Sequence, residues 1–393
     1  MPGVISRGIR APIIRDGDDI IRIVADAVVA AAVEDGFSLR QRDIVAVTES
    51  VVARADGNYA SVDDIADDVR RKLGGGTVAV IFPILSRNRF SLCLRGIAAG
   101  AKKIILVLSY PSDEVGNRLF DDDLMDKHGI NPYTDVLSLD DYRRIFGSPN
   151  HPFTGVDYVD YYESLIREAG AETEIIFANH AQAAASLADN ILCCDIHTRE
   201  RTRRRILAAG GKNVLTLCDI LNEPVNGSGY NPVFGLLGSN KASEDRVKLF
   251  PKNAQAVAEG IQAELLARIG VKIEAMVYGD GAFKDPSGRI WELADPVVSP
   301  GFTAGLRGLP NELKLKYLAD NEFSGLSGEA LTEAIRDSIR RKDTDLKGSM
   351  ASEGTTPRHL TDLVGSLCDL TSGSGDKGTP IVIVQNYFCN FAE

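Results

Sequence analysis

Residues 77–108 read TVAVIFPILSRNRFSLCLRGIAAGAKKIILVL, and this stretch decides the fold class. Its two ends, 77–82 and 103–108, are short apolar runs rich in β-branched residues, which is typical of buried strands. Residues 90–100 between them form a short helix pattern that ends at a glycine. A strand, a helix and a strand at this spacing favour an α/β or α+β architecture.

The alternation of strands and helices continues on both sides of this stretch. Further strands are predicted at 42–48, 174–178, 275–278 and 380–384. Helices are predicted from residue 18 onward and at 62–70, 198–209 and 360–370, with a helical pair within 311–341. The acidic residues Asp18 and Asp19 are predicted to lie on the first turn of the first helix, where they would complement the helix dipole. No internal repeat is visible, so the pattern predicts an α/β (α+β) fold.

Length and charge exclude several classes of protein. With 393 residues, of which 44% are hydrophobic and 25% charged, the chain can bury enough apolar surface to fold into two or three units. A net charge of −11 makes it a poor candidate for binding nucleic acid by charge. No apolar run reaches the roughly 18–20 residues that span a bilayer, and the N-terminus lacks a signal-peptide core. We therefore expect a cytoplasmic protein with no membrane or nucleic-acid partner.

The cysteines and histidines offer little catalytic chemistry. Six cysteines in a long intracellular chain are more often buried thiols than disulfides. The run CCDIH at 193–197 could hold a metal, but adjacent strand residues point to opposite faces and do not easily share one ion. Five scattered histidines and the absence of a nucleophile elbow argue against a histidine-based mechanism. An oxidoreductase is disfavoured because no Gly-x-Gly-x-x-Gly follows the first strand.

Four loops could carry a site, and each has a plain structural alternative. Residues 280–292 place carboxylates after a buried strand, which suits hard cations, although an aspartate can simply cap a turn there. Residues 369–380 form a glycine-rich loop that could cradle phosphate, or be a flexible connector. Residues 227–231 and 235–241 combine small residues with Asn and Lys, which suits the edge of an anion or nucleotide site and equally suits a plain surface turn. Residues 48–57 place polar groups at the carboxyl end of a strand, where open α/β sheets bind ligands.

Two further segments have an unusual composition. Residues 120–160 are rich in Asp, Pro, Tyr and Gly, which indicates a long lid or insertion, or part of a substrate mouth. Arginines crowd the helix at 198–209. Such a charge run is more often a solvated face than a contact to an acidic substrate.

Four motifs resemble, in the same order, those of the γ-glutamyl ligases that add glutamate to the deazaflavin coenzyme F420. Residues 11–19, APIIRDGDD, resemble the opening of that family, and residues 43–57 resemble its next signature, in which a lysine stands at the position of Arg54. Residues 285–291, DPSGRIW, are similar to its metal motif. Residues 360–384 resemble its terminal helix, glycine loop and strand.

The resemblance implies a γ-glutamyl-ligase-like fold of mixed sheets and flanking helices with two subdomains, in a homodimer. It divides the chain into ligase-like parts at 1–118 and 166–393, separated by an insertion or lid at 119–165. It implies GTP as co-substrate, Mg²⁺ or Mn²⁺ with K⁺ as a further cation, and an acidic small molecule plus L-glutamate or another amino acid as substrates. The catalytic residues would be Asp285 and Arg54, and the metal would lie on Asp285 and Asp280.

The nucleotide site implied by the resemblance has more residues than the catalytic and metal sites. It comprises Pro12, Ile13, Ile14, Glu49, Ser50, Arg54, Asn240, Gly373, Ser374, Gly375 and Lys377. The sequence departs from the family at three places, where residues 238–241 replace an Asp-Glu-Ser-Asn segment, Pro286 replaces a threonine and Ser374 replaces a glutamine. These departures indicate a divergent branch, and they leave the identity of the acid acceptor open.

The predicted activity is therefore a nucleotide-dependent, metal-dependent ligation of a carboxylate to an amine, with GTP favoured. A carboxylate is a poor electrophile, so it would first be phosphorylated to an acyl phosphate that the amine then attacks. The alternative is a nucleotide- or metabolite-binding protein of the same fold without ligase activity. Binding of nucleotide without any metal requirement would favour that alternative.

Overall fold

The strands predicted from the sequence pair into two main sheets in the computed structural model, which describes residues 3–114, 116–279, 282–284, 291–293, 299–355, 358–371 and 375–393. The architecture is mixed α/β, as the sequence predicts. The strands are β1 (Ile5–Ile9), β2 (Ile44–Thr48), β3 (Tyr59–Ser61), β4 (Thr77–Ile81), β5 (Lys103–Leu108), β6 (Leu137–Ser138), β7 (Glu172–Phe177), β8 (Asn190–Cys193), β9 (Asn213–Thr216), β10 (Asn240–Lys241), β11 (Arg246–Lys248), β12 (Glu274–Tyr278), β13 (Ala282–Lys284), β14 (Trp291–Leu293), β15 (Gly301–Phe302) and β16 (Ile381–Gln385).

The helices lie between these strands and confirm most of the predicted segments. They are α1 (Ile20–Glu34), α2 (Glu49–Ala55), α3 (Val62–Leu73), α4 (Ser91–Ala99), α5 (Asp122–His128), α6 (Leu139–Phe146), α7 (Tyr158–Glu168), α8 (Arg199–Ala208), α9 (Ala254–Ile269), α10 (Leu315–Tyr317), α11 (Gly328–Arg341) and α12 (Leu360–Thr371). The first member of the predicted helical pair at 311–341 is only a short turn, α10 continued by a π turn at Leu318–Glu322. The second member is the full helix α11.

The first sheet has five strands in the order β1-β16-β2-β12-β15. Its two central strands β2 and β12 are parallel, and Thr48 lies opposite Tyr278 at their carboxyl ends. Alternate residues of β2 face opposite sides: Val45 and Val47 pack with α1 and α9, whereas Ile44 and Ala46 pack with α12. Because both faces are buried, the strand reads as a continuous apolar run.

The second sheet has six strands in the order β6-β7-β5-β4-β8-β9. Strands β4, β5, β7, β8 and β9 are parallel, and the short β6 is an antiparallel edge. One face packs against α3, α4 and α7 and carries the largest core cluster. The other face packs against Ile206 of α8 and the alanine-rich turn at Ala181–Ser186. This sheet is contained within residues 77–216.

The strands of a small third sheet lie, along the chain, between the segments that form the two larger sheets. Its order is β10-β11-β3, and all its pairs are antiparallel. Strand β3 follows α2, which packs with the five-stranded sheet, and precedes α3, which packs with the six-stranded sheet. The segment 119–165 contributes α5, β6, α6 and α7, and β6 pairs with β7 at the edge of the six-stranded sheet. None of the described helices is both long and apolar enough to cross a membrane.

Candidate functional site

A cavity of about 660 Å³ opens at the carboxyl ends of β2 and β12. It lies where the sequence predicts ligand binding for a sheet with parallel central strands. One wall is the start of α2, and the opposite wall is the three-stranded sheet. We call this cavity the basic pocket, and its described lining is Thr48, Glu49, Ser50, Arg54, Tyr59, Asn88, Arg89, Asn240, Lys241, Ala242, Ser243, Arg246, Lys248, Tyr278 and Asp369.

The strand register of the small sheet brings polar side chains to one wall of the basic pocket. Asn240, Lys248 and Tyr59 lie directly opposite one another across β10, β11 and β3. Arg246 lies two residues before Lys248, so both side chains leave the same face of β11. The Arg246 guanidinium lies 5.3 Å from the centre of the Tyr59 ring, in a cation–π contact.

The floor of the basic pocket is an ion pair between Lys248 and Glu49. Lys248 Nζ lies 2.9 Å from Glu49 Oε1 and 2.8 Å from Glu49 Oε2, and each side chain is only 9% exposed. Glu49 is the first residue of α2, whose N-cap is Thr48. The pair therefore ties the start of α2 to the centre of the small sheet and holds the ammonium in one place.

The lining of the basic pocket carries an excess of positive charge. Its described cations are Arg54, Arg89, Lys241, Arg246 and Lys248. Against these five stand two carboxylates, Glu49 and Asp369. In a chain with a net charge of −11, a concave surface of this kind is a departure from the average surface. It favours an anionic ligand, since walls of one sign concentrate the field inside a cleft.

The sequence profile of the F420-0:gamma-glutamyl ligase family matches residues 8–386, nearly the whole chain. The chain belongs to this family. The match spans both main sheets and every element that lines the basic pocket. A search of curated proteins found no significant match.

Four of the residues predicted for this family member's nucleotide site come together in the basic pocket. Glu49, Ser50 and Arg54 lie on α2, and Asn240 lies opposite them on β10. Asn240 is more than 180 positions away from the other three in sequence, and the antiparallel pairing of β10, β11 and β3 brings it close to them.

Other predicted residues do not reach the described lining of the basic pocket. Ile14 is 4% exposed and packs in the core of the five-stranded sheet, and Ile13 is 79% exposed. Pro12 is exposed beside it, on the loop between β1 and α1. Gly375 and Lys377 are exposed on the loop before β16. Asp280, Asp285, Gly373 and Ser374 lie outside the described residues.

Sequence reasoning missed several residues of the basic pocket. Tyr59, Arg246 and Lys248 belong to strands of three residues, too short for a reliable pattern. The signal that was present is the alternation of charged and apolar residues at 246–250, RVKLF, which places both cations on one face of a strand. Arg89 lies on the loop after β4 and Asp369 on α12, and no local pattern marks either of them.

The described residues do not assemble a metal centre. No three His, Cys, Asp or Glu side chains converge among them, and this includes the CCDIH run at 193–197. In the basic pocket, both oxygens of Glu49 are within hydrogen-bond distance of Lys248 Nζ, so this carboxylate is already engaged. The prediction of Mg²⁺ or Mn²⁺ therefore rests on Asp280 and Asp285 in the sequence.

The arginine-rich helix α8 does not contribute to the basic pocket. Arg201, Arg204 and Arg205 are exposed, and Arg203 Nη1 lies 3.8 Å from Asp219 Oδ2. None of these arginines belongs to the described lining of the pocket. This arrangement favours a solvated face over a contact to the anion that the pocket would bind.

Proposed function

We propose that the protein is a nucleotide-dependent carboxylate–amine ligase that uses GTP to join L-glutamate or another amino acid to an acidic small molecule. The observation that carries this proposal is the basic pocket, where five cations of the described lining surround a cavity of about 660 Å³. A nucleoside triphosphate and a carboxylic acid are both anions, and family membership makes the ligation of L-glutamate, through its amino group, to an acid the reaction to test first.

The cations of the basic pocket would have different tasks. Lys248, fixed by Glu49, would be a stationary charge against the phosphates. Arg246 and Arg54 have planar guanidinium groups that can bind a phosphate or carboxylate with two parallel hydrogen bonds. Fixed positive charge stabilises the negative charge that spreads over a phosphoryl group during its transfer.

The chemistry requires the acid and the amine to act in sequence. The acid oxygen attacks the terminal phosphate of the nucleotide, which forms an acyl phosphate and releases the nucleoside diphosphate. The amine then attacks the acyl carbon, an amide forms, and inorganic phosphate leaves. Mg²⁺ or Mn²⁺, with K⁺ as a further cation, and a homodimeric assembly are part of the proposal because of the family.

The test is release of phosphate from GTP or ATP by the purified protein. Coenzyme F420-0 and L-glutamate are supplied separately and together, followed by other small carboxylic acids. Hydrolysis that appears only when an acid and an amino acid are both present supports the proposal. Nucleotide binding without turnover in any combination would favour the binding-protein alternative.

A matched pair of variants connects the activity to the pocket. Arg246→Gln removes one charged contact in the basic pocket, and Arg205→Gln removes an exposed arginine of α8. Loss of a charged hydrogen bond costs about 1.5–3 kcal/mol, so Arg246→Gln should raise the nucleotide KM roughly ten- to hundredfold. Arg205→Gln should leave it unchanged. Equal effects of both variants would contradict nucleotide binding in the basic pocket.

A further inference from the structure

The loop that follows β4 connects the six-stranded sheet to the basic pocket. Among the parallel strands of this sheet, β4 is first in sequence and lies in the middle, with β5 and β7 on one side and β8 and β9 on the other. This is the strand order of a doubly wound α/β fold, in which ligands bind outside the carboxyl ends of the strands near the point of reversal. The loop at 82–90 leaves β4 at that end, and its residues Asn88 and Arg89 line the basic pocket.

The part of this loop that reaches the pocket is a tight turn at 86–90, and Ser86 holds it closed. The carbonyl of Ser86 accepts hydrogen bonds from Phe90 N at 3.1 Å and Ser91 N at 3.2 Å. Its Oγ accepts a third hydrogen bond from Arg89 N at 3.1 Å. Serine side chains often close turns in this way. The position of Ser86 therefore sets the backbone from which the Arg89 side chain extends.

Ser86 is in turn held by a tyrosine from a distant part of the chain. Tyr162 lies on α7, within the segment 119–165, and is fully buried. Its hydroxyl accepts a hydrogen bond from Ser86 N at 2.9 Å and donates one to Ile84 O at 2.7 Å. The directions are fixed, because a backbone N–H only donates and a carbonyl only accepts. One hydroxyl group thus joins both sides of the loop to α7.

The surroundings of Tyr162 keep this hydroxyl in place and protonated. Its ring packs against Phe90, at the end of the turn, with 5.9 Å between the ring centres, and against Tyr158 at 5.4 Å. Burial raises the pKa of Tyr162 well above its ordinary value. The hydroxyl therefore remains a donor to Ile84 O at every pH at which an enzyme assay is practical.

The turn at 86–90 also supports the opposite wall of the basic pocket. Lys241 N, on β10, donates a hydrogen bond to Asn88 O at 2.8 Å. Ser239, just before β10, has its Oγ 3.2 Å from Cys93 Sγ on α4, the helix that continues from the turn. A shift of the turn would therefore move Arg89 and would also loosen the strand that carries Asn240.

A second buried tyrosine shows that the aromatic core does not by itself explain the Tyr162 hydroxyl. Tyr142 is also fully buried, in the same core cluster, and stacks on Phe177. Its hydroxyl has no hydrogen-bond partner among the described residues. The ring alone serves the packing at that position, whereas Tyr162 adds two specific hydrogen bonds to the loop of the pocket.

We propose that Tyr162 is a positioning residue of the basic pocket. Its hydroxyl fixes the turn at 86–90, and the turn fixes Arg89 against the anion and Asn88 against Lys241. The segment 119–165, which the sequence predicts to be an insertion or lid, then supports the pocket through α7. This inference rests on the proposed function, because it takes the basic pocket as the nucleotide site.

The first test compares Tyr162→Phe with Tyr142→Phe in the full-length protein. Each substitution removes one buried hydroxyl and keeps the ring. Titration calorimetry with GTP and MgCl2, at a temperature at which both variants are folded, gives the Kd. We expect Tyr162→Phe to raise the Kd about tenfold, because a misplaced Arg89 loses a charged hydrogen bond, and Tyr142→Phe to leave it unchanged. A wild-type Kd in Tyr162→Phe would overturn the proposal.

A double-mutant cycle shows whether Tyr162 acts through Arg89. Residues that act through one another have non-additive effects. In an Arg89→Gln background, adding Tyr162→Phe should therefore change the Kd for GTP by less than about twofold. A full tenfold effect in that background would overturn the role assigned to Arg89. If Tyr162→Phe does not fold, Ser86→Ala, which removes the acceptor of Arg89 N, takes its place in both experiments with the same expected outcomes.

Hydrogen exchange without any ligand separates this inference from the proposed function. The amides of Arg89 and Lys241 should exchange faster in Tyr162→Phe than in the wild type, and at the wild-type rate in Tyr142→Phe. If the wild type does not bind GTP, the proposed function fails, and faster exchange at these two amides would still support the positioning of the pocket walls by Tyr162. Unchanged exchange at both amides would overturn it.

Discussion

Replacing Lys248 should show how much the buried ion pair in the basic pocket contributes to the stability of the protein. Lys248→Met removes the ion-pair partner of a Glu49 side chain that is only 9% exposed. Removing one partner of a buried pair costs about 3 kcal/mol or more, because the remaining charge stays in a poorly solvated place. We expect the free energy of unfolding, measured with urea, to fall by about this amount.

Lys241→Met is the matched control for Lys248→Met. Lys241 lines the same pocket, but its pair with Glu244 is far more open, with side chains that are 36% and 91% exposed. Exposed pairs contribute less than about 1 kcal/mol. A similar loss of stability in both variants would show that the buried Lys248–Glu49 pair contributes no more to stability than the exposed Lys241–Glu244 pair.

Asp285 is the residue on which the metal prediction rests, and one substitution separates its two interpretations. Asp285→Asn keeps the shape and the ability to cap a turn but removes the negative charge that a divalent cation requires. We expect metal-dependent turnover to be lost while the melting temperature stays nearly unchanged. Full activity in Asp285→Asn would end the metal assignment and weaken the case for a ligase.

At the scale of elements, Gly238 sets the path of the chain into β10. Its φ is +73°, and a Cβ at this position would lie 2.4 Å from Cε2 of the Phe250 ring. Gly238→Ala should therefore lower stability and also weaken nucleotide binding, since Asn240 and Lys241 follow directly. The left-handed conformation alone costs about 1–2 kcal/mol, and the clash should add a further 1–3 kcal/mol.

Gly270→Ala separates the two contributions. Gly270 ends α9 with φ of +71°, but a Cβ there would meet no atom within 4 Å. This variant should show the conformational cost without the clash and without any change in nucleotide affinity. Urea unfolding and a nucleotide titration on both variants give the comparison. Equal losses in the two variants would mean that Phe250 moves aside freely.

The elements that the sequence predicted well are those buried on both faces. Strands β2, β4, β5, β12 and β16 are apolar over four or more residues, because each lies inside a sheet with helices on either side. Strands β3 and β10 have only three and two residues, so they carry no readable period. The wall of the basic pocket that they form could not be predicted from local pattern, because it depends on pairing between distant segments.

At the scale of the whole molecule, the family predicts a homodimer. Sedimentation equilibrium at micromolar concentration should therefore give twice the mass of one chain. Oligomers of this kind use the same surface on both subunits, so the mass should not rise further with concentration. A stable monomer under these conditions would remove the dimer from the proposed function.

The assembly of two main sheets was only partly foreseen. The mixed α/β class followed from the alternation of strands and helices, and motif order identified the family. The doubly wound order of the second sheet did not follow, because the loop after β4, residues 82–90, contains no glycine and carries no dinucleotide motif.

The position of β16 has a consequence for biosynthesis. This strand lies between β1 and β2, and its Gln385 accepts a side-chain hydrogen bond from Arg7, 378 positions earlier. Until the ribosome has translated β16, the strand that pairs with both β1 and β2 is missing, so the five-stranded sheet stays incomplete. The six-stranded sheet needs only residues 77–216 and can form long before. During synthesis from the N-terminus, we therefore expect the six-stranded sheet to form first and the five-stranded sheet to be completed last.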